Sequence, residues 1–434
     1  MKAAIAALRA QRIWDSRGRP TLEVEVRLAD GTLGRGIAPA GASRGSFEAI
    51  DLRDGGPALG GFGIERAVAN VDTVIAGALI GLDATDQNGV DAALIALDGT
   101  PNKSRLGGNA TIATSLAVLD AAAKRAGMPL WRHLANGRKV RLPLPEIQIF
   151  GGGAHAGRRI DLQDLMVMPV GAQSFDEALV MVAEVYRTAG ALMAQTGRRC
   201  GVADEGGWWP DFTDNEAAIA MLARAIDAAG YRSGEVLISL DVAASEFCVD
   251  GRYAPGPSER VYETGEWIDV MQGWVARYPI ISLEDPVAED DDAGMVAITA
   301  ALGDRVQIIG DDYLVTNARR IAGAAARGAC NAVLIKPNQA GTVSETITAM
   351  AAARAARWGT IVSARSGETE DTTVAHLAVG WDAGQLKVGS FARSERMAKW
   401  NECLRIEREL GPDAVYAGAR ALPVGHSRPA SGAG

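Results

Sequence analysis

The chain has 434 residues, with 44 Lys plus Arg against 53 Asp plus Glu and a formal net charge of −9. That length can bury more than one core, and the negative balance argues against a surface made for nucleic acid or an anionic membrane. No apolar run reaches the length of a bilayer crossing, and Cys200, Cys248, Cys330 and Cys403 show neither metal spacing nor pairing logic. These properties predict a cytoplasmic enzyme with reduced thiols, acting on a small molecule. The opening Met-Lys-Ala-Ala-Ile-Ala-Ala-Leu starts like a secretory leader, but Arg9 and Arg12 interrupt it before it is long enough.

From Ile5 to about Leu33 the alternation in Thr-Leu-Glu-Val-Glu-Val-Arg-Leu, followed by Asp30-Gly31, predicts an antiparallel hairpin. Ala38 to Gly45, rich in Gly, Pro and Ala, predicts a mobile loop. Apolar residues at three- and four-residue spacing predict helices over Gly63 to Ile80 and Asn109 to Ala126. Strands followed by helices give an α+β N-terminal domain over residues 1–135.

After Pro143, short apolar runs alternate with Ala-rich helical stretches. The runs end near Met168, Ala203, Asp241, Glu284, Asp311, Lys336, Ala364 and Lys387, which makes eight candidate strands. From Glu284 through Asp311, Lys336 and Arg365 to Lys387 the steps are 27, 25, 29 and 22 residues, one strand plus one helix each. The expected architecture is an α/β barrel of the (β/α)8 TIM type over residues 136–426, with its site at the C-terminal mouth. Residues 427–434 are small and polar and are expected to be disordered.

The chemistry concentrates where these runs stop. Tyr278 to Asp285 is an apolar run ending in two carboxylates, and Val236 to Asp241 and Val306 to Asp312 repeat the phrase. Asp241, Glu284 and Asp311 thus come from successive strand tips and offer only oxygen. Such a donor set suits Mg²⁺ or Mn²⁺, whereas His133, His155, His376 and His426 lack zinc spacing. A single strand-tip acid is ordinarily a solvated loop start; three in register, followed by a strand-tip lysine, point to a site. Lys336 and Lys387 end later runs. A partly desolvated ammonium beside a metal has a lowered pKa, as a base abstracting a carbon-bound proton requires; a salt bridge to one of the acids is the alternative. Glu205, in Asp204-Glu-Gly-Gly, is placed to protonate a leaving group, although that string alone is more often a turn.

Taken together, these residues resemble the enolase family from Asp15-Ser-Arg-Gly-Arg-Pro-Thr to Arg405-Ile-Glu. The most specific string is Arg365-Ser-Gly-Glu-Thr-Glu-Asp371, supported by Leu97-Asp-Gly-Thr, Asn102-Lys-Ser, Ala243-Ala-Ser-Glu-Phe247, Gly310-Asp-Asp and Lys336 with Asn338-Gln339. The resemblance implies a capping domain on a modified barrel, a homodimer or higher homo-oligomer, two Mg²⁺ ions and a small anionic phosphorylated substrate. The implied reaction is dehydration of 2-phosphoglycerate to phosphoenolpyruvate. By the same resemblance Asp241, Glu284 and Asp311 hold the first Mg²⁺ and Ser43 the second. Lys336 is the base, Glu205 the acid with Asp164 beside it, and Lys387 meets the substrate carboxylate. Arg365, Ser366 and the loop residue His155 meet the phosphate.

The sequence also departs from the family pattern. A site histidine is Ala364, a glutamate is Asp164, and Arg44, Arg158 and Arg159 are added on loops. Trp208 and Trp209 follow Asp-Glu-Gly-Gly. One reading is an ordinary enolase with tolerated variants. Another is a specialised relative handling a modified enol ester, such as a carboxyphosphonoenolpyruvate synthase, with the added arginines on extra negative charge and the tryptophans stacked on a base or filling volume. A third is a noncatalytic binding protein on the same fold.

Overall fold

The computed structural model describes residues 3–41, 45–232, 234–256 and 260–424. Its chain begins with a three-stranded antiparallel sheet, β1 (Ile5–Trp14), β2 (Pro20–Leu28) and β3 (Leu33–Ala38), in that order. The alternation predicted to make a hairpin turns Leu22, Val24, Val26 and Leu28 into the core, and β3 extends the hairpin by one strand. The leader-like opening is β1 itself.

Helix Gly108–Arg125 packs on this sheet at very close range. A Cβ added to Gly36 would stand 2.2 Å from the carbonyl oxygen of Ala113, and one added to Gly34 would stand 2.2 Å from that of Ala117. Backbone cannot yield as a side-chain tip can, so Gly36→Ala is expected to cost about 3 kcal/mol, at the upper end for overpacking. Thermal denaturation tests this; an unchanged melting temperature would contradict it. The helix expected over 63–80 runs as Glu65–Ala69, a π-helical Asn70–Ile75 and Ala76–Leu79. Helix Gln87–Asp98, capped by Asp86 accepting from Gly89 N–H, was not foreseen.

A closed eight-stranded barrel follows. Its staves are β4 (Leu144–Gly151), β5 (Asp164–Met168), β6 (Leu237–Asp241), β9 (Ile280–Glu284), β10 (Gln307–Gly310), β11 (Ala332–Ile335), β12 (Gly359–Ser363) and β13 (Gly384–Ser390). A small hairpin, β7 (Cys248–Val249) and β8 (Arg252–Tyr253), stands outside it. Two expectations need correction. The run ending at Ala203 is not a stave, since Val202 makes only an isolated bridge to Trp208. The missing stave is β4, where Glu146 and Gln148 interrupt the apolar run. Second, β5 runs antiparallel to β4 and β6, because residues 152–163 hold only a short 3-10 turn and no crossover helix. This reversal brings the start of β5, Asp164, level with the tips of its neighbours at Gly151 and Asp241.

Candidate active site

The barrel mouth gathers ionisable side chains that a hydrophobic core does not tolerate unpaired. Asp241 ends β6, its register partner Glu284 ends β9, and Asp311 follows β10. Lys387 on β13 donates to Asp241 Oδ2 at 2.8 Å and to Glu284 Oε2 at 2.8 Å. Lys336 pairs with Asp311, whose other oxygen accepts from Gln339 Nε2 at 2.8 Å. Asp285, at φ 40°, accepts from the backbone N–H groups of Asp311 and Asp312 at 2.9 and 2.7 Å, tying the tip of β9 to that of β10. Burial and then the charge of Asp311 push Asp285 up to about 8.

The lowered Lys336 pKa is an expectation for the metal-loaded site; without the metal's charge the balance runs the other way. Burial does push the ammonium down, but Asp311, Glu284 and Asp312 outweigh it and hold it above its ordinary value. The same competition holds Lys387 well above its own, burial being overcome by Asp241, Glu284 and Asp164. Both salt bridges foreseen as alternatives are therefore present.

The donor set fits a hard divalent cation. Burial and Asp241 raise the Glu284 pKa well above the usual carboxylate range, and Glu284 Oε1 is buried with no hydrogen-bond partner among the described residues. An oxygen-only set of three acids with one uncompensated oxygen suits Mg²⁺. Two tighter groups also bring ligand atoms within 4.8 Å of one another: Asp285, Asp311 and Asp312, and His155, Asp164 and Glu205. Asp311 belongs to both the expected set and the first of these.

On the opposite wall, His155 sits on the turn Gly153–Ala156 with Nδ1 3.1 Å from Asp164 Oδ1. Its Nε2 is 3.2 Å from Ser366 Oγ and 3.8 Å from Glu205 Oε1. Burial disfavours the imidazolium, yet Glu205 and Asp164 prevail and raise His155 to about 9. Arg365 reaches across to the capping domain and donates to both oxygens of Glu48 at 2.9 and 3.2 Å. Arg396, fully buried behind them, donates to the carbonyls of Arg365 and Ser366 and so shapes the loop that carries both.

Of the loop arginines, Arg158 donates to the Glu246 carbonyl at 2.9 Å and pairs with its carboxylate, and Arg159 pairs with Asp211 at 2.8 Å. Both arginines thus pair with acids of this chain, with about half of each side chain exposed. Trp208 is also spoken for: its ring stacks on Tyr186 with centroids 4.8 Å apart, and its Nε1 donates to the Tyr186 carbonyl. It fills volume. Ser43 and Arg44, and the tail predicted over 427–434, lie outside the described residues.

Three contributors escaped the sequence reading. Gln148 and Glu146 show as polar residues at alternate positions in β4, a visible signal of an inward-facing polar row. Glu48 carries no such signal, since its partner lies 317 residues away.

One narrow cleft is lined by Lys336, Glu205, His155, Arg365, Ser366 and Lys387 together with Asp164 and Asp241, with Ala364 in its wall. Comparison with known families agrees with both halves of the chain. Residues 5–134 match the enolase N-terminal domain, and residues 139–423 match the enolase C-terminal TIM barrel domain. No helix among the described residues is long and apolar enough to cross a membrane. With both domains matched and the acids of the barrel mouth arranged as described, the chain belongs to the enolase family and is an enolase-superfamily enzyme of the lyase type.

Proposed function

We propose that this enzyme catalyses the reversible dehydration of 2-phosphoglycerate to phosphoenolpyruvate. The observation that carries the proposal is that a single cleft faces an amine, Lys336, and a carboxyl, Glu205, while His155, Arg365 and Lys387 line it with positive charge. An amine and an acid serving one small anion are what a β-elimination needs.

Lys336, in its neutral form, takes the proton from C2, and the electron pair left behind forms the ene-diolate of the substrate carboxylate. The C3–O bond then breaks, and the hydroxyl leaves as water with the proton held by Glu205. Lys387 meets the carboxylate, and Arg365, Ser366 and His155 meet the phosphate. Asp241, Glu284 and Asp311 would hold one Mg²⁺ ion and Ser43 a second, and the metal would supply positive charge beside the substrate carboxylate. The carboxylate charge that raises the Lys336 pKa is the charge such an ion would offset.

A coupled assay on 2-phosphoglycerate with excess Mg²⁺ tests this. Turnover of roughly tens per second, abolished by EDTA and restored by Mg²⁺, is the expected result; rates about a thousandfold lower would contradict it and point to a modified enol ester as substrate.

A further inference from the structure

We propose that Asp164 is a positioning residue, which holds His155 with Nδ1–H fixed and Nε2 aimed at the site's anion, and that it carries no proton in the reaction. The placement follows from the topology. Because β5 runs against its neighbours, its first residue rather than its last lies at the mouth, so the Asp164 side chain enters the site from the wall and not from a strand tip.

Its hydrogen bonds then leave it only an acceptor's part. Gln148 Oε1 accepts the backbone N–H of Gly207 at 2.8 Å, which fixes the amide orientation and turns Nε2, a donor, toward Asp164 Oδ1. The same oxygen faces His155 Nδ1 at 3.1 Å, and Oδ2 stands 3.4 Å from the Lys387 ammonium. The side chain is buried, at the edge of the cleft. A carboxylate facing an amide N–H, an imidazole N–H and an ammonium is held as an acceptor by all three. Glu205 also lines the cleft but is held more loosely, its Oε1 3.8 Å from His155 Nε2 and 3.9 Å from Arg396.

The consequence is a division of labour between two carboxylates on one wall. Asp164 fixes the tautomer and ring angle of His155, and Glu205 alone is left to protonate a leaving group. The charged groups facing His155 are Asp164 from β5, Glu205 from the loop after Ala203, and Asp241 from β6 at longer range. Only Asp164 makes a bond to Nδ1 among the described residues.

This inference rests on the proposed function for the meaning of the anion, but its test does not. Nitrogen NMR of His155 in the Mg²⁺-loaded enzyme, assigned with His155→Gln, reads the tautomer directly. The wild type is expected to keep Nδ1 protonated through its titration and to lose the Nε2 proton first, at the midpoint of that titration. Asp164→Asn is expected to lower that midpoint by more than one unit and to weaken binding of inorganic phosphate at least tenfold. Asp164→Glu, which keeps the charge, restores most of both. A wild-type neutral form protonated at Nε2 with Nδ1 bare overturns the proposal even if Asp164→Asn fails to fold, and so does an unchanged midpoint in a folded Asp164→Asn. Absence of turnover on 2-phosphoglycerate, with the tautomer as expected, would instead sink only the substrate assignment.

Discussion

Lys336→Ala is expected to lower turnover of 2-phosphoglycerate by about 10⁴-fold, the upper range for loss of a general base, while the fold and the binding of divalent metal survive. The side chain ends a stave whose interior residues, Ala332 to Ile335, are wholly buried and make the barrel wall without it. Removing the amine frees Asp311, whose Oδ1 keeps its bond from Gln339. Substrate affinity should change far less than turnover, because Lys387, Arg365 and His155 still carry the positive charge of the cleft. Steady-state kinetics with calorimetric Mg²⁺ titration separates these effects. A variant that keeps more than about a tenth of wild-type turnover would remove Lys336 from the chemistry and favour a binding protein on an enolase scaffold.

Glu48→Ala carries the largest expected cost in stability. The Arg365–Glu48 pair is buried, with 6 % of each side chain exposed, and joins the capping domain to the barrel through two hydrogen bonds. Burial disfavours the guanidinium charge, and Glu48 more than offsets that, holding the Arg365 pKa above its ordinary value. Deleting the carboxylate strands a charge that cannot neutralise itself near physiological pH, a loss of about 3–5 kcal/mol. Urea denaturation should show the midpoint falling. Arg365 should also swing from the cleft wall, so the KM for a phosphorylated substrate should rise. The double variant Glu48→Ala, Arg365→Ala should be more stable than Glu48→Ala alone, since it removes the stranded charge; equal stability would contradict this account.

The legible parts of the site share one property: a polar side chain placed at the end of an apolar run. Asp241, Glu284, Asp311 and Lys336 each stop a strand, so burial and chemistry change at one residue and the sequence marks it; Lys387, expected to end its run, lies inside β13, which continues to Ser390. Gln148 and Glu146 lie within β4 instead, where their charge and polarity disguise the strand, and the count of eight was completed with the run at Ala203. The direction of β5 is invisible to periodicity, because a strand reads the same way up or down; only the shortness of residues 152–163 hints that the chain returns without a helix. Partners such as Glu48 and Arg365 follow from how the two domains meet, which local pattern does not encode. The shifts at Lys336 and His155 belong to the assembled site in the same way, since each sums charges from several elements.

The proposed chemistry rests on removal of hydrogen from carbon by Lys336, and exchange of that hydrogen with solvent would read it before any product forms. In deuterium oxide with Mg²⁺, the wild type and Glu205→Gln are both expected to place deuterium at C2 of 2-phosphoglycerate, with Glu205→Gln making little phosphoenolpyruvate and Lys336→Ala exchanging nothing. Exchange that persists in Lys336→Ala, or that disappears in Glu205→Gln while Lys336 is intact, would contradict the assignment of the amine as base and the carboxyl as acid.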